Sequence, residues 1–431
     1  MKQRFYSLDV FRGATVALMI LVNNPGSWSY IYAPLEHAPW HGCTPTDLVF
    51  PFFLFAVGNA LAFTMPKLEG AGERAFLKKV FTRSLLIFGI GLFLNWFPFI
   101  RWSGGQLVVK AWTDRVAAGI EPTGIRILGV LQRIALAYLF ASLILYYGKM
   151  RGALAAASTL LLGYWALCLL LGSPGDPYSL QGYFGTGIDK SILGAAHMYK
   201  GEGTAFDPEG LASTLPAIVQ VLFGYLVGYY ILAKGKTYEM IAGLFVIGCV
   251  LIFAGFCWDM VFPINKKIWS SSFVVYTTGL AILVLCVLLY TIEMRGRWAM
   301  AGEGGKGDAA TGDATTGGAM AGEDSKAVTG GAPAKRPAGW SRFFDVFGKN
   351  ALFIFFISGI LPRLYALFHI PDGLNASGEI VYKGLKEWAY DHIFSPAFGP
   401  MNGSLLYAVF NILLFWALCY WLDKKKIYIK V

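Results

Sequence analysis

The chain has 431 residues, of which 56% are hydrophobic and only 14% charged, and it carries a formal net charge of +10. That balance excludes an ordinary soluble globular domain, whose charged share is roughly a quarter, and points to a polytopic membrane protein. The positive charge is explained by the Lys and Arg excess of cytoplasmic loops, so no nucleic acid partner is expected.

In chain order, apolar runs long enough to cross a bilayer, which takes roughly 20 residues each, fall at about 8–25, 45–65, 77–100, 125–147, 152–172, 211–233, 239–257, 269–292, 347–363 and 403–422. This predicts about ten spans. Unpaired backbone polar groups are costly in lipid, so continuous apolar segments of this length must be helices, and the expected fold class is an all-α bundle. Asp9 and Arg12 interrupt the first run and no small-residue cleavage site follows, so that segment is expected to be a retained helix rather than a signal peptide. Basic residues collect in alternate loops: Lys2 and Arg4, then Lys67, Arg74, Lys78 and Lys79, then Lys149 and Arg151, Lys234 and Lys236, Arg295 and Arg297, and the tail DKKKIYIKV. Both termini are therefore expected in the cytoplasm.

The Gly/Ala/Thr-rich stretch from Ala301 to Gly339 lacks the apolar surface to order itself and reads as a cytoplasmic linker. The expected organisation is a catalytic core over 1–292 (spans one to eight), a linker over 293–342, and a last pair of spans over 343–431. External segments 173–210 and 364–402 mix Gly and Pro with aromatics, the composition of ordered lids. Of the six cysteines only Cys43 is clearly in an external loop, so no disulfide framework is expected.

All five histidines, His37, His41, His197, His369 and His392, fall on the expected external side. Strong polar groups also interrupt or flank the spans: Asp9 and Arg12, Asn23 and Asn24, Asp47, Arg83, Gln132 and Arg133, Asn265, Ser270 to Ser272, and Lys349 with Asn350. Intramembrane ionisable residues are functional candidates by default. Plainer roles stand beside this: Arg12 can pair with Asp9 one turn earlier, Asp47 can be a helix-start charge, and His41 and His392 can be ordinary loop histidines. No HxxE spacing occurs, and no metal is expected.

The segments LDVFRG (8–13), VNN (22–24), EHAPWHG with TDLVFPFF (36–53), GVLQRIALAY (129–138), AFDPEGL (205–211) and IWSSSF (268–273) follow one another along most of the chain. That ordered set resembles the heparan-α-glucosaminide N-acetyltransferase family of transmembrane acyltransferases, in a bacterial-type relative. The resemblance implies transfer of an acetyl group from acetyl-CoA to the amine of a glucosamine-type sugar across the bacterial inner membrane, with His37 as the active-site histidine and Asn23 its partner. In the family the asparagine is followed by a Gly-rich stretch; here NPGSWSYIY stands there.

Acyl transfer to an amine needs a base and a donor to the oxyanion. His37 suits the base, or an acetyl carrier, with Glu36 or Asp47 setting its tautomer. Arg12, Arg83, Gln132, Arg133, Lys349 and Asn350 are the expected coenzyme A contacts, because phosphates favour Arg and Lys. Glu36, Trp40, His197, Glu209, Trp269 and Ser270, with Asp207 nearby, are the expected sugar contacts. The expected partners are an amino sugar or glucosamine-terminated oligosaccharide and the lipid bilayer, with a homodimer left open. Two alternatives differ in class: an O-acyltransferase of envelope glycans, and a small-molecule or sugar transporter, since buried Arg, Asp and Asn also line transport pathways.

Overall fold

The computed structural model describes residues 5–103, 105–114, 123–294 and 339–429. Most of the expected 293–342 linker lies outside them, as do Lys2, Arg4, Arg295 and Arg297 of the loop-charge pattern. The principal helices are α1 (Tyr6–Asn23), α2 (Val49–Gly70), α3 (Glu73–Trp96), α4 (Val130–Leu171), α5 (Gly185–Leu193), α6 (Leu211–Lys234), α7 (Tyr238–Asp259), α8 (Ser271–Leu288), α9 (Gly339–Lys349), α10 (Ala351–Tyr365) and α11 (Pro400–Lys424). The chain is thus mostly helical, as expected.

Among the described residues seven helices are long and apolar enough to cross a bilayer, or eight if α9 and α10, bent by 79° at their junction, form one broken span. The expectation of ten differs at two places. α3 carries Glu73, Arg74, Lys78, Lys79 and Arg83 in its first three turns, which lowers its hydropathy. α4 has 42 residues, roughly twice the length a bilayer core needs, and its backbone leaves helical geometry at Lys149 (φ 52°, ψ −154°). The break divides one hydrogen-bonded helix into two arms where the sequence reads as two spans. Outward-facing Phe245, Val246, Val250, Phe253 and Phe256 of α7 are exposed, an apolar face that suits hydrocarbon rather than water.

Close helix pairs are made by small residues. A Cβ on Gly58 of α2 would strike the Val221 carbonyl of α6, and one on Gly224 would strike the Phe55 carbonyl. Without side chains there, the two backbones touch and gain dispersion contacts along their length. Gly13, which closes the LDVFRG segment, does the same for α1 against the Phe344 carbonyl of α9.

Polar contacts define the two ends of the bundle. At one end Arg12 Nη1 donates to the Gly348 carbonyl (3.5 Å), Ser7 N–H donates to Glu293 Oε1 (3.0 Å), and Lys349 bridges to Asp423 (3.0 Å). The first and last described helices therefore start and finish on the same side. At the other end lie the loops following α1 and α4 and the loop between α7 and α8.

The connections between α3 and α4 and between α10 and α11 hold three antiparallel strand pairs that the all-α expectation does not include: β1 (Ile100–Ser103) with β2 (Gln106–Val109), β3 (Thr113–Asp114) with β4 (Thr123–Gly124), and β5 (Ile370–Leu374) with β6 (Ile380–Lys383). Their strands are two to five residues long, too short for an alternating pattern to stand out. The segment 173–210 is ordered, with α5, a short turn at Ala195–His197, and a Tyr164–Tyr183 hydroxyl pair (2.9 Å) tying it to α4.

Candidate active site

The site begins with a local rule. Thr44-Pro-Thr-Asp47 is a capping box at the turn Pro45–Leu48 that opens α2. Asp47 Oδ2 accepts the backbone N–H groups of Thr44 and Ala38, both at 3.0 Å. The Thr44 hydroxyl donates to the Glu36 carbonyl (2.6 Å), which folds the preceding lip back over the helix start. Asp47 Oδ1 is left pointing at His37 Nδ1, 2.6 Å away. With Nδ1–H donating to that carboxylate, the His37 lone pair resides on Nε2. Asp47 is 1% exposed while the His37 side chain is 44% exposed, so a buried anion supports a reachable imidazole.

His37 opens into a cavity of about 330 Å³ whose walls include Asn23, Trp40, Phe50, Arg126, Glu209 and Lys266. Asn23 sits at the C-terminal end of α1, exposed to this space. Phe355 of α10 also lines it, so the 343–431 segment contributes directly to the site. A second lobe of about 280 Å³ shares Met19, Asn23, Arg126, Val130 and Phe355 with the first and continues past Gln132, Asn95 and Arg363. Two binding volumes thus meet at Asn23 and Arg126.

Charge is dense around the first lobe. Arg126 pairs with Asp207 (2.5 Å) and with Glu209, and lies over the Tyr199 ring (4.9 Å). Lys267 bridges to Glu202 (2.7 Å) and donates to the Pro39 carbonyl (2.7 Å). Trp40 Nε1 donates to the Tyr178 carbonyl (2.9 Å), anchoring the lip to the 173–210 segment. Burial alone would raise the Glu209 carboxyl, but Arg126, then Arg133 and Lys266, hold it below its ordinary value. Burial lowers the Lys266 ammonium, against the opposing pull of Asp47 and Glu209. Behind this wall, burial pushes the carboxyl of Asp189 up to about 6 although its Oδ1 accepts the Leu211 N–H (2.8 Å).

Of the expected site residues, His37, Asn23, Asp47, Trp40 and Glu209 converge here. Glu36 is exposed and off the cavity wall, so Asp47 is the carboxylate that meets His37. His197 has both ring nitrogens engaged, Nδ1 with the Ile125 carbonyl (2.8 Å) and Nε2 with Thr113 Oγ1 (3.1 Å), and it holds the segment before α4 in place. Trp269 is buried between Phe50 and Phe273 (ring centroids 4.9 and 5.2 Å away). Ser270 caps α8, accepting the Phe273 N–H (3.4 Å).

The expected coenzyme A contacts scatter. Arg133 is fully buried, donates to the Gly210 carbonyl (3.2 Å) and Ser213, and stacks on Trp269 (5.0 Å). Gln132 donates to the Ile127 carbonyl (2.9 Å) and floors the second lobe. Arg83 is exposed on α3 over the Tyr138 ring (4.9 Å). Arg12 lines a separate cleft between α1 and α2 at the far end, 3.6 Å from Asp9. Lys349 is held by Asp345 (2.7 Å) and Asp423 (3.0 Å), and Asn350 bonds the Ile427 carbonyl (3.2 Å) and the Ile429 N–H (2.8 Å). Those two staple the C-terminal tail rather than face any cavity described.

Arg126, Lys266, Lys267, Glu202 and Tyr199 are absent from the sequence-based site. A signal existed for the lysines: two adjacent cations in a connection expected outside run against the charge bias that set the topology.

No protein-family profile matches the chain. Among curated proteins it is similar to the heparan-alpha-glucosaminide N-acetyltransferase of Homo sapiens, 28% identical over an alignment of 348 positions, with 68% of this chain and 50% of that protein covered. The Mus musculus protein of the same name is 27% identical over 351 residues, with the same shares. The chain spans about half the length of the curated relatives it matches. The chain is thus similar in sequence to the heparan-alpha-glucosaminide N-acetyltransferases over about half of their length.

Proposed function

We propose that the chain is a transmembrane N-acetyltransferase that moves an acetyl group from acetyl-CoA to the amine of a glucosamine-type sugar. The observation that carries this reading is the His37–Asp47 pair, 2.6 Å apart, opening on a cavity that Asn23 also lines. The relatives' name supports the same reaction class. Two lobes meeting at Asn23 suit a reaction that must bring two substrates together.

In the reaction, His37 Nε2 takes a proton from the amine as its nitrogen attacks the thioester carbonyl. The tetrahedral intermediate collapses with loss of the thiolate, which receives that proton from the imidazolium. Asp47 stabilises the imidazolium while it exists and fixes the ring for the next turnover. The Asn23 amide donates to the acyl oxygen or holds the sugar. A route through an acetyl-His37 intermediate uses the same residues. The cavity end faces the periplasm and both termini face the cytoplasm, in a bacterial inner membrane.

The test is incubation of the purified protein with acetyl-CoA and a panel of amino sugars, reading product mass and resistance to mild base, which separates an amide from an ester. N-acetylated product that disappears in a folded His37→Ala variant is the expected result. Full turnover in that variant would remove His37 from the mechanism.

A further inference from the structure

We propose that Lys266 is a further catalytic residue, whose ammonium donates to the oxyanion that forms when the acyl carbonyl beside His37 is attacked. This assignment rests on the acyl-transfer reading above. Lys266 Nζ lies 3.1 Å from His37 Nδ1 and 3.3 Å from Nε2, whereas Asp47 Oδ1 is 3.6 Å away. An ammonium placed only to neutralise Asp47 would sit closest to the carboxylate. Asp47 is already supplied by two backbone N–H groups and the imidazole. Lys266 is instead nearest the ring, beside the nitrogen where acyl chemistry occurs, with its side chain only 20% exposed.

The turn that carries Lys266 is built to hold it there. Asn265 is fully buried; its N–H donates to Ser270 Oγ (3.0 Å) and its Oδ1 accepts the Ile268 N–H (3.0 Å). The Gly42 N–H donates to the Ile264 carbonyl (2.7 Å), and Asn265 Nδ2 donates to His41 Nδ1 (3.3 Å), so the turn is fastened to the lip that bears His37. An acyl carbonyl attacked beside Nε2 can then turn its oxygen toward the Lys266 ammonium, the place an oxyanion donor occupies. The electron accounting closes without another reactant. The amine nitrogen forms the C–N bond, and the carbonyl π pair moves to oxygen beside the Lys266 N–H groups. It returns to carbon as the C–S bond breaks, and Lys266 keeps its proton throughout.

The charged groups facing His37 are Asp47 on its own element, Lys266 and Lys267 before α8, Glu202 and Glu209 before α6, and Arg126 before α4.

The experiment compares wild type, Lys266→Met and Lys266→Arg in two assays on the full-length protein. In acetyl transfer, Lys266→Met should lower kcat at least 100-fold with the KM for the amine within about threefold, and Lys266→Arg should recover part of the loss. In the second, ethoxyformylation of His37 by diethylpyrocarbonate is followed by peptide mass spectrometry across pH. That chemistry passes through the same kind of oxyanion and requires no acetyltransferase. Lys266→Met should slow the high-pH plateau about tenfold, with Lys266→Arg close to wild type. An unchanged plateau in Lys266→Met would overturn the assignment. Absence of acetyl transfer by the wild type would instead overturn the functional reading, and the ethoxyformylation rates would still decide the role of Lys266.

Discussion

The two ends of the bundle both carry charged side chains and use them in different ways. At the far end several cations are matched: Lys349 lies between Asp345 and Asp423, Lys236 bridges to Glu293, and Lys149 bridges to Glu69. At the cavity end the buried carboxylate of Asp47 is saturated, but the groups it supports are not. His37, Asn23 and Lys266 all line the cavity, with the His37 side chain 44% exposed. A titratable group near a membrane is therefore not a functional signal by itself. What separates the ends is whether polar valences are left over after the fold has taken its share.

The largest effect should come from Asp47→Asn. The variant keeps the side-chain shape, but an amide can no longer hold Nδ1–H as a carboxylate does, so kcat should fall about 10³-fold or more with little change in fold. Steady-state kinetics beside circular dichroism checks both halves. At the far end, Lys349→Ala should do the reverse, leaving Asp345 and Asp423 facing each other without their cation. Because that lysine is partly solvated, the cost is about 1–3 kcal/mol of stability, seen as a lower Tm in detergent, with kcat of the folded fraction retained.

Asp189 sharpens the comparison through pH. Its carboxyl is raised to about 6 by burial, so the folded protein binds that proton more tightly than the unfolded chain. The resulting stability is present below about pH 4 and lost as pH rises through about 6. Asp189→Asn removes this dependence. Its Tm should exceed that of wild type at pH 7.5, where the stability difference is about 3 kcal/mol, and converge with it near pH 4. The smallest effect is expected from Glu36→Gln, an exposed carboxylate off the cavity wall, with kcat/KM within about twofold of wild type.

Much of this arrangement is legible along the chain because it is local. The capping box Thr44 to Asp47, the run of apolar residues after it, and His37 ten positions earlier are all within one turn and one helix start. Asn23 is readable as the polar end of an apolar segment. The remainder depends on contacts that no local pattern encodes. Lys266 reaches His37 across 229 positions of sequence, and Arg126 meets Asp207 across 81. The motif around Trp269 and Ser270 has a structural role in the fold: a bulky aromatic and a helix-capping hydroxyl are what a tight turn entering a buried helix needs, and both are buried. Lys349 and Asn350, at the bent α9–α10 junction, serve the C-terminal segment: Lys349 bridges to Asp423, and the Asn350 amide donates to the Ile427 carbonyl while its Oδ1 accepts the Ile429 N–H.

The most direct test of the central claim is single-product mass spectrometry of acetyl-CoA and glucosamine incubated with wild type and with folded His37→Ala. The account predicts a base-stable N-acetyl product from wild type and a loss of at least 10³-fold in the variant. A base-labile ester, or equal turnover by the two proteins, would contradict it.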